Sequence, residues 1–217
     1  MKKAIIYLIA GTTLLVASCK KDKDENPPAT TPRTVSQYAQ LKVGNYWIYE
    51  RFSVDASGNE TSLGQFDSCY VEKDTIINNL TYTKYVSPYI GGPLTLNLYQ
   101  RDSSGYLVDQ NGIIYLAPND FTSTLEDRYV LAINDTVAHV TKQMVNKDSV
   151  VTVPAGTYTI INCRTMFEMY PGYNSGGTFR PINSRYASGV GIVWDREVFF
   201  ASQPTYTDRK LVRFHLN

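Results

Sequence analysis

The sequence predicts an all-β domain of about ten to twelve antiparallel strands, arranged as a sandwich, a barrel or a curved sheet. Short runs of alternating apolar and polar residues recur along the chain, and pairs of turn-forming residues separate them. After the first eighteen residues, no stretch has the 3.6-residue period of a long helix. Hydrophobic residues at 43% and charged residues at 19% exclude both a disordered chain and a polytopic membrane protein.

The first eighteen residues have the pattern of an export signal. Lys2 and Lys3 precede an apolar run over 4–16, which is too short for a membrane-spanning helix. The sequence Val-Ala-Ser-Cys over 16–19 resembles the bacterial lipoprotein box, and that resemblance implies that Cys19 becomes the diacylated N-terminus. The alternative is an ordinary secretory signal. Two or more acyl chains would give stable membrane attachment.

Residues 19–33 should form the lipidated cysteine and a flexible tether. The segment 20–33 holds seven charges and three prolines and has no large apolar residue, so it cannot bury enough surface to fold. Lys23-Asp24-Glu25 resembles the signal that directs Bacteroidetes-type lipoproteins to the outer face of the outer membrane. A plain solvated charge run is the alternative. The folded domain should then cover 34–217.

Turn chemistry defines the strands. A first strand follows Leu41, and the turn at 57–59 ends it. The pair Asn111-Gly112 is a strong hairpin signal because both residues tolerate positive φ. The segment 153–156, Val-Pro-Ala-Gly, favours a type I turn between two longer strands. The chain should end in a half-buried strand at 212–216, and Asn119 or Asp120 could cap one short helical turn ending near residue 126.

Three segments resemble one family of uncharacterised Bacteroidetes-type lipoproteins. They are Leu-Lys-Val-Gly-Asn-Tyr-Trp over 41–47, Val-Pro-Ala-Gly-Thr-Tyr over 153–158 and Tyr-Ala-Ser-Gly-Val-Gly-Ile-Val over 186–193. A hairpin over 74–82 is also similar, with Asn79 in place of the family's usual Gly. The resemblance implies a strongly curved antiparallel sheet or half-open barrel, similar to lipoprotein carriers and localisation factors. A β-sandwich or a lipocalin-like barrel is the alternative, and the family implies no activity.

Motifs of catalysis, metal binding and cofactor binding do not occur in the sequence. The two histidines, His139 and His215, lie on predicted strands, and neither belongs to a zinc or hydrolase pattern. Gly189-Val190-Gly191 indicates a strand bend where the backbone of another segment approaches closely. Without the two signal lysines the chain has no basic excess, so a nucleic-acid partner is not expected. We therefore expect no enzyme activity, no cofactor and no metal.

Two cysteines remain after Cys19. Cys69 and Cys163 both lie on predicted strands of an exported chain, where a disulfide is permitted. Two free, buried thiols are the alternative, because a bridge needs Cα atoms within about 7 Å.

Aromatic residues in two loops are the candidate ligand-binding groups. Aromatic rings beside amide and hydroxyl groups suit sugars or peptides. The alternative is that these rings only cover an open sheet edge. The candidates are Tyr89 in the loop 87–93, and Tyr170, Tyr173, Phe179 and Arg180 in the loop 170–181.

Two functions from different classes follow. The first is a non-enzymatic binding protein that is anchored to the outer membrane through Cys19, with the Lys23-Asp24-Glu25 segment pointing to the cell surface. It would hold a lipid-like molecule or a glycan on the concave sheet face or at the aromatic loops. The second is a structural or assembly lipoprotein that docks another envelope protein through an exposed edge or aromatic patch.

Overall fold

The computed structural model describes residues 31–90, 93–175, 177–198 and 206–217. The predicted export signal over 1–18, the predicted lipidation site Cys19 and most of the predicted tether over 19–33 lie outside these residues. Residues Pro32–Asn217 form one compact unit. Over the described residues this unit has one short helix and twelve strands. These are α1 Val35–Ala39, β1 Tyr46–Val54, β2 Glu60–Ile77, β3 Leu80–Pro88, β4 Thr95–Ser103, β5 Tyr106–Asp109, β6 Ile114–Leu116, β7 Glu126–Ala132, β8 Asp135–Val153, β9 Gly156–Met169, β10 Phe179–Ala187, β11 Gly191–Val198 and β12 Tyr206–His215.

The strands form a single antiparallel sheet in the order β6-β5-β4-β3-β2-β1-β12-β11-β10-β9-β8-β7. Each strand pairs with its chain neighbours, except that β6 does not pair with β7, and the first strand pairs with the last. The sheet curls until it is nearly closed, with one unsealed seam between β6 and β7. This confirms the strongly curved antiparallel sheet or half-open barrel that the resemblance implied.

The alternating strand direction gives the barrel two distinct ends. At one end lie α1, both chain ends of the unit and the connections β2–β3, β4–β5, β6–β7, β8–β9 and β10–β11. We call this the closed end, because α1 packs there against β5, β10 and β11. The connections β1–β2, β3–β4, β5–β6, β7–β8, β9–β10 and β11–β12 lie at the opposite end, which we call the open end.

The predicted hairpin turns form where the sequence placed them. Asn78 and Asn79 have φ of 51° and 61°, so asparagine takes the left-handed conformation that the family usually gives to glycine. Gly112 closes the β5–β6 turn with φ 82° and donates its N–H to Asp109 O at 3.1 Å. The turn after Val153 joins the two long strands β8 and β9 as expected.

The helical prediction was wrong in its position. Asp120 caps only a turn, in which its Oδ1 accepts the N–H groups of Thr122 and Ser123, and no helix follows. The helix forms instead after Thr34, whose side chain accepts the N–H of Gln37 while the Gln37 side chain accepts the N–H of Thr34. This reciprocal capping box stabilises a helix that is too short to show a hydrophobic period.

Two apolar clusters fill the barrel. One surrounds Trp47 and includes Val71, Val153, Val190 and Leu211. The other surrounds α1, where Val35 and Tyr38 pack with Leu116, Met144 and Tyr186. The buried residues of both clusters come from strands far apart in sequence, so they hold the curled sheet together.

The three family-like segments meet at the closed end. Trp47 Nε1 donates to Val190 O at 2.6 Å, and Gly191 has φ 104° directly beneath the indole. Val153 of the second segment packs in the same cluster, and Ala155 N donates to Leu211 O at 2.9 Å. The predicted approach of another backbone occurs at Gly189, whose N–H donates to Gln37 O at 2.7 Å, whereas the group beside Gly191 is the Trp47 side chain.

Candidate functional site

A cavity of about 210 Å³ lies inside the barrel, above α1 and Leu41. It reaches toward the open end, where Pro88, Tyr89 and Ile90 contribute to its wall. Its lining is mostly apolar and aromatic, with a few polar side chains. This composition is typical of small-molecule sites in proteins.

The two-residue period of the strands directs the lining side chains inward. On β4 the inward residues are Leu96, Leu98 and Gln100, and on the opposite wall they are Ile182 and Ser184 of β10. In the sheet order β4 and β10 stand six positions apart in either direction, so the two strands face each other across the barrel.

Aromatic side chains form the wall nearest the closed end. The rings of Trp47 and Tyr85 lie 5.9 Å apart and are tilted by 55°, and both line the cavity. Tyr49 donates its hydroxyl to Ile192 O at 2.8 Å. Burial raises the pKa of Tyr49 and of Tyr85 well above the ordinary value, so both rings are neutral hydrogen-bonding groups.

One wall carries a buried arginine. Arg209 is 6% exposed and pairs with Asp195, with Nε donating to Oδ1 at 3.0 Å. Its Nη1 donates to Ser87 Oγ at 3.0 Å and to Pro88 O at 3.2 Å. Burial lowers the pKa of Arg209, but the negative charge of Asp195 outweighs burial and raises it, so the guanidinium is charged.

A second ion pair lies beside the first. Arg51 binds Asp67 through two hydrogen bonds of 2.8 and 2.7 Å, and Asp67 Oδ2 lies 3.6 Å from Arg209 Nη1. Arg51 also donates to Ile90 O at 3.1 Å. The two pairs join β1, β2, β11 and β12 to the β3–β4 connection and brace the barrel toward the open end.

A lysine side chain bridges the unsealed seam between β6 and β7. Lys142 of β8 places Nζ 2.6 Å from Glu126 Oε2 of β7 and donates to Ile114 O of β6 at 3.1 Å. Nζ also lies 5.6 Å from the centroid of the Tyr115 ring, whose pKa is raised to about 12 by burial and by Asp109. Side chains thus join β6 and β7 without strand hydrogen bonds between them.

The aromatic loop residues lie at the open end, and only one lines the cavity. Tyr89 is part of the wall. Tyr170 and Phe179 are 39% and 59% exposed, and Tyr173 lies in the same β9–β10 connection without lining the cavity. Arg180 is buried and donates Nε to Gly177 O at 3.3 Å. Ligand binding by these five residues stays a prediction.

The sequence analysis did not identify several residues that line the cavity. The alternation of Leu96 and Leu98 was a visible signal for an inward face on β4. Gln100 and Arg209 gave no such signal, because polar side chains on a strand usually indicate the solvent face.

The disulfide considered for Cys69 and Cys163 does not form. Both cysteines are free and buried, one in each apolar cluster. They lie on β2 and β9, five positions apart in the sheet order, which is too far for a bridge. Burial raises the pKa of Cys163 to about 11, and burial also raises that of Cys69.

The histidines lie outside the cavity. His139 Nε2 lies 2.7 Å from Asp127 Oδ1, and its ring stacks on Tyr129 at 4.8 Å. His215 stacks on Tyr46 at 5.5 Å. Among the described residues, no group of three or more His, Cys, Asp or Glu side chains is placed to hold a metal ion. The same residues include no helix with the length and hydropathy to cross a membrane.

Comparison with known proteins gives two solved structures. One is a protein of Bacteroides fragilis inferred to be exported, with a YmcC-like fold; it is 12% identical, and the match covers 82% of this chain and 98% of that chain. The other is an inferred lipoprotein of Parabacteroides distasonis; it is 14% identical, with 82% and 97% covered. The TM-score is 0.43 for each. No family model and no curated protein matches the sequence.

Proposed function

We propose that this chain is an exported, lipid-anchored, non-enzymatic binding protein of the outer membrane that holds a small hydrophobic molecule inside its barrel. The cavity carries this proposal. A close-packed interior would leave no space of about 210 Å³, since folded cores contain few voids larger than a water molecule. The lipoprotein box that ends at Cys19 supports the anchor, and the Lys23-Asp24-Glu25 segment supports the outer-membrane location.

The lining favours a hydrophobic molecule over a glycan. Much of the lining is aliphatic, so a sugar bound there would leave hydroxyl groups without hydrogen-bond partners. The aliphatic lining residues are Leu96, Leu98, Leu107, Ile182 and Ile192. The exposed rings of Tyr170 and Phe179 in the 170–181 loop suit a glycan, but they lie outside this cavity.

Native mass spectrometry tests the proposal directly. The mature chain with Cys19→Ser, which is not acylated, would be measured before and after organic extraction. We expect a bound mass that extraction removes. Leu98→Trp should abolish it by filling the cavity, while Leu131→Trp on the exposed face of β7 should leave it unchanged. A clean apo mass together with no binding of added apolar probes would contradict the proposal.

A docking lipoprotein is the second candidate. Leu94, Leu131 and Ile133 are 66%, 71% and 95% exposed, and all three lie toward the open end. Exposed apolar side chains of this kind favour a protein contact. Leu131→Trp would then disturb capture of an envelope partner, whereas Leu98→Trp would not.

A further inference from the structure

The charges that face the cavity are already paired. Arg209 binds Asp195, and Arg196 binds Asp208 through two hydrogen bonds of 2.7 and 2.8 Å. The remaining charged lining residue is Glu197, which is acidic. A carboxylate or phosphate in this cavity would therefore meet no unpaired cation among its described lining residues, and it would approach two acidic side chains.

The adjoining charges add no free cation either. Arg51 is held by both oxygens of Asp67 and by carbonyl oxygens of the β3–β4 connection. Freeing any of these arginines for a ligand would leave a buried carboxylate without its partner, which is costly in a protein interior.

One neutral side chain is in the opposite situation. Gln100 is 6% exposed and lines the cavity, yet its amide has no hydrogen-bond partner among the described residues. The amide oxygen and nitrogen are accessible from the cavity, since neither is among the fully buried side-chain atoms that lack a partner in the described residues. A ligand group that both accepts and donates hydrogen bonds can therefore bind this amide.

The opposite wall offers a second neutral group. Ser184 of β10 lines the cavity across from β4, and its hydroxyl can donate or accept. The remaining surface between the two strands is aliphatic or aromatic. The cavity thus presents neutral polar groups on two facing walls, surrounded by apolar side chains.

The volume limits the size of what is enclosed. About 210 Å³ corresponds to about seven water volumes of ~30 Å³ each. A short chain or a single ring fits this space, and a longer molecule would extend through the open end.

We infer that the ligand is a neutral amphiphile, with an uncharged hydroxyl, carbonyl or amide head hydrogen-bonded to Gln100 and a short apolar body against Leu98, Leu107 and Ile192. This inference rests on the proposed function and specifies its ligand class. It excludes fatty acids and phospholipid headgroups as the group bound at Gln100.

Three probes of one chain length test the head group. Binding of 1-heptanol, heptanoate and heptane to the unacylated mature chain would be measured by titration calorimetry at pH 7. We expect heptanol to bind at least tenfold more tightly than heptanoate. Heptanoate binding as tightly as heptanol would overturn the assignment of a neutral head.

Two variants test the position of the head. Gln100→Leu should weaken heptanol binding about five- to tenfold and leave heptane binding unchanged, whereas Gln65→Leu on the exposed part of β2 should change neither. Heptanol binding that is insensitive to Gln100→Leu would overturn the role of Gln100. Failure of all three probes to bind, together with a clean apo mass, would instead overturn the cavity-binding function itself.

Discussion

The closed and open ends of the barrel are stabilised in different ways. At the closed end, Trp47, Val153 and Val190 share one buried apolar cluster, and Trp47 Nε1 donates a hydrogen bond to Val190 O. Toward the open end, the pairs Arg209–Asp195 and Arg51–Asp67 cross-link strands around unfilled volume. Apolar packing stabilises the closed end, and ion pairs between strands stabilise the wall of the cavity toward the open end.

This difference explains which parts of the sequence could be recognised. The family-like segments meet at the closed end, where the shape of each side chain is dictated by its neighbours. The cavity residues obey a weaker requirement, namely that they face inward. The family-like segments therefore indicate the architecture, and most of the cavity lining lies outside them, with Leu41, Trp47, Tyr186 and Ile192 as the shared residues.

The largest expected effect is at the closed end. Trp47→Ala should lower the free energy of unfolding by about 3–5 kcal/mol, because it empties a fully buried site and removes the bond to Val190 O. Urea unfolding measures this. Trp194→Ala is the comparison, since that ring packs against the same cluster but is only half-buried and its centroid lies 3.9 Å from the Arg185 guanidinium carbon, so its removal should cost less than half as much.

Gly191→Ala should cost about 1–3 kcal/mol. Gly191 has φ 104°, and a Cβ there would stand 3.2 Å from Trp47 Nε1. Gly105→Ala separates the two causes, because Gly105 has φ 86° and no heavy atom within 4 Å of the added carbon. Equal losses in the two variants would show that the contact with Trp47 does not matter.

Leu98→Ala should destabilise the barrel by only about 1 kcal/mol, at the low end of leucine truncations. Leu98 is half-buried and already borders the cavity, so its removal enlarges existing space rather than creating new space. A loss comparable to that of Trp47→Ala would contradict the contrast between the two ends. Thermal and urea unfolding both measure it.

Acidification should weaken the seam. Burial works to raise the pKa of Glu126, but the hydrogen bonds and charges of Lys142 and Arg128 outweigh it and hold the pKa below the ordinary value of 4.5. A lowered folded-state pKa stabilises the fold fully above pH 4.5, and this contribution is lost as the pH falls through the folded-state value.

The difference in unfolding free energy between wild type and Glu126→Gln should therefore stay constant at neutral pH and shrink below pH 4.5. Urea unfolding over a pH series measures it. A difference that does not change between pH 7 and pH 3 would show that Glu126 has no charged partner in the fold.

The smallest expected effect concerns the two thiols, which should stay unlabelled as long as the protein is folded. Because burial raises the pKa of Cys163 to about 11 and also raises that of Cys69, neither should react with a thiol reagent at pH 8 in the native, unacylated chain. Both should react after unfolding without reductant. An absence of reactive thiols in the unfolded chain would mean that the two cysteines are bridged.

Local chemistry made the turns predictable from the sequence. Asn78-Asn79 and Asn111-Gly112 fix their own backbone conformation, so each hairpin can be identified from a few residues. The helix α1 was missed because five residues cannot show a period, although Thr34 and Gln37 displayed its capping box. A search for capping pairs beside short apolar segments would have found it.

The cavity could not be predicted in the same way. Its wall joins Trp47, Gln100 and Arg209, which become neighbours only when the first and last strands pair and the sheet curls. The run Thr207–Lys210 is buried on both faces of β12, while its charges are typical of a solvent-exposed strand. Burial of these residues depends on partners from other strands, which no local pattern contains.

The attachment of the tether has a mechanical consequence. Arg33 contacts Asn119 and Asp148 at the closed end, and α1 follows immediately. A pulling force applied through residue 33 is therefore transmitted into the capped helix and the apolar cluster of Val35, Tyr38 and Leu116 behind it. The strand connections at the open end lie at the opposite end of the barrel from residue 33 and α1. Tension between the barrel and an anchor would therefore act on the closed end and leave the cavity opening undistorted.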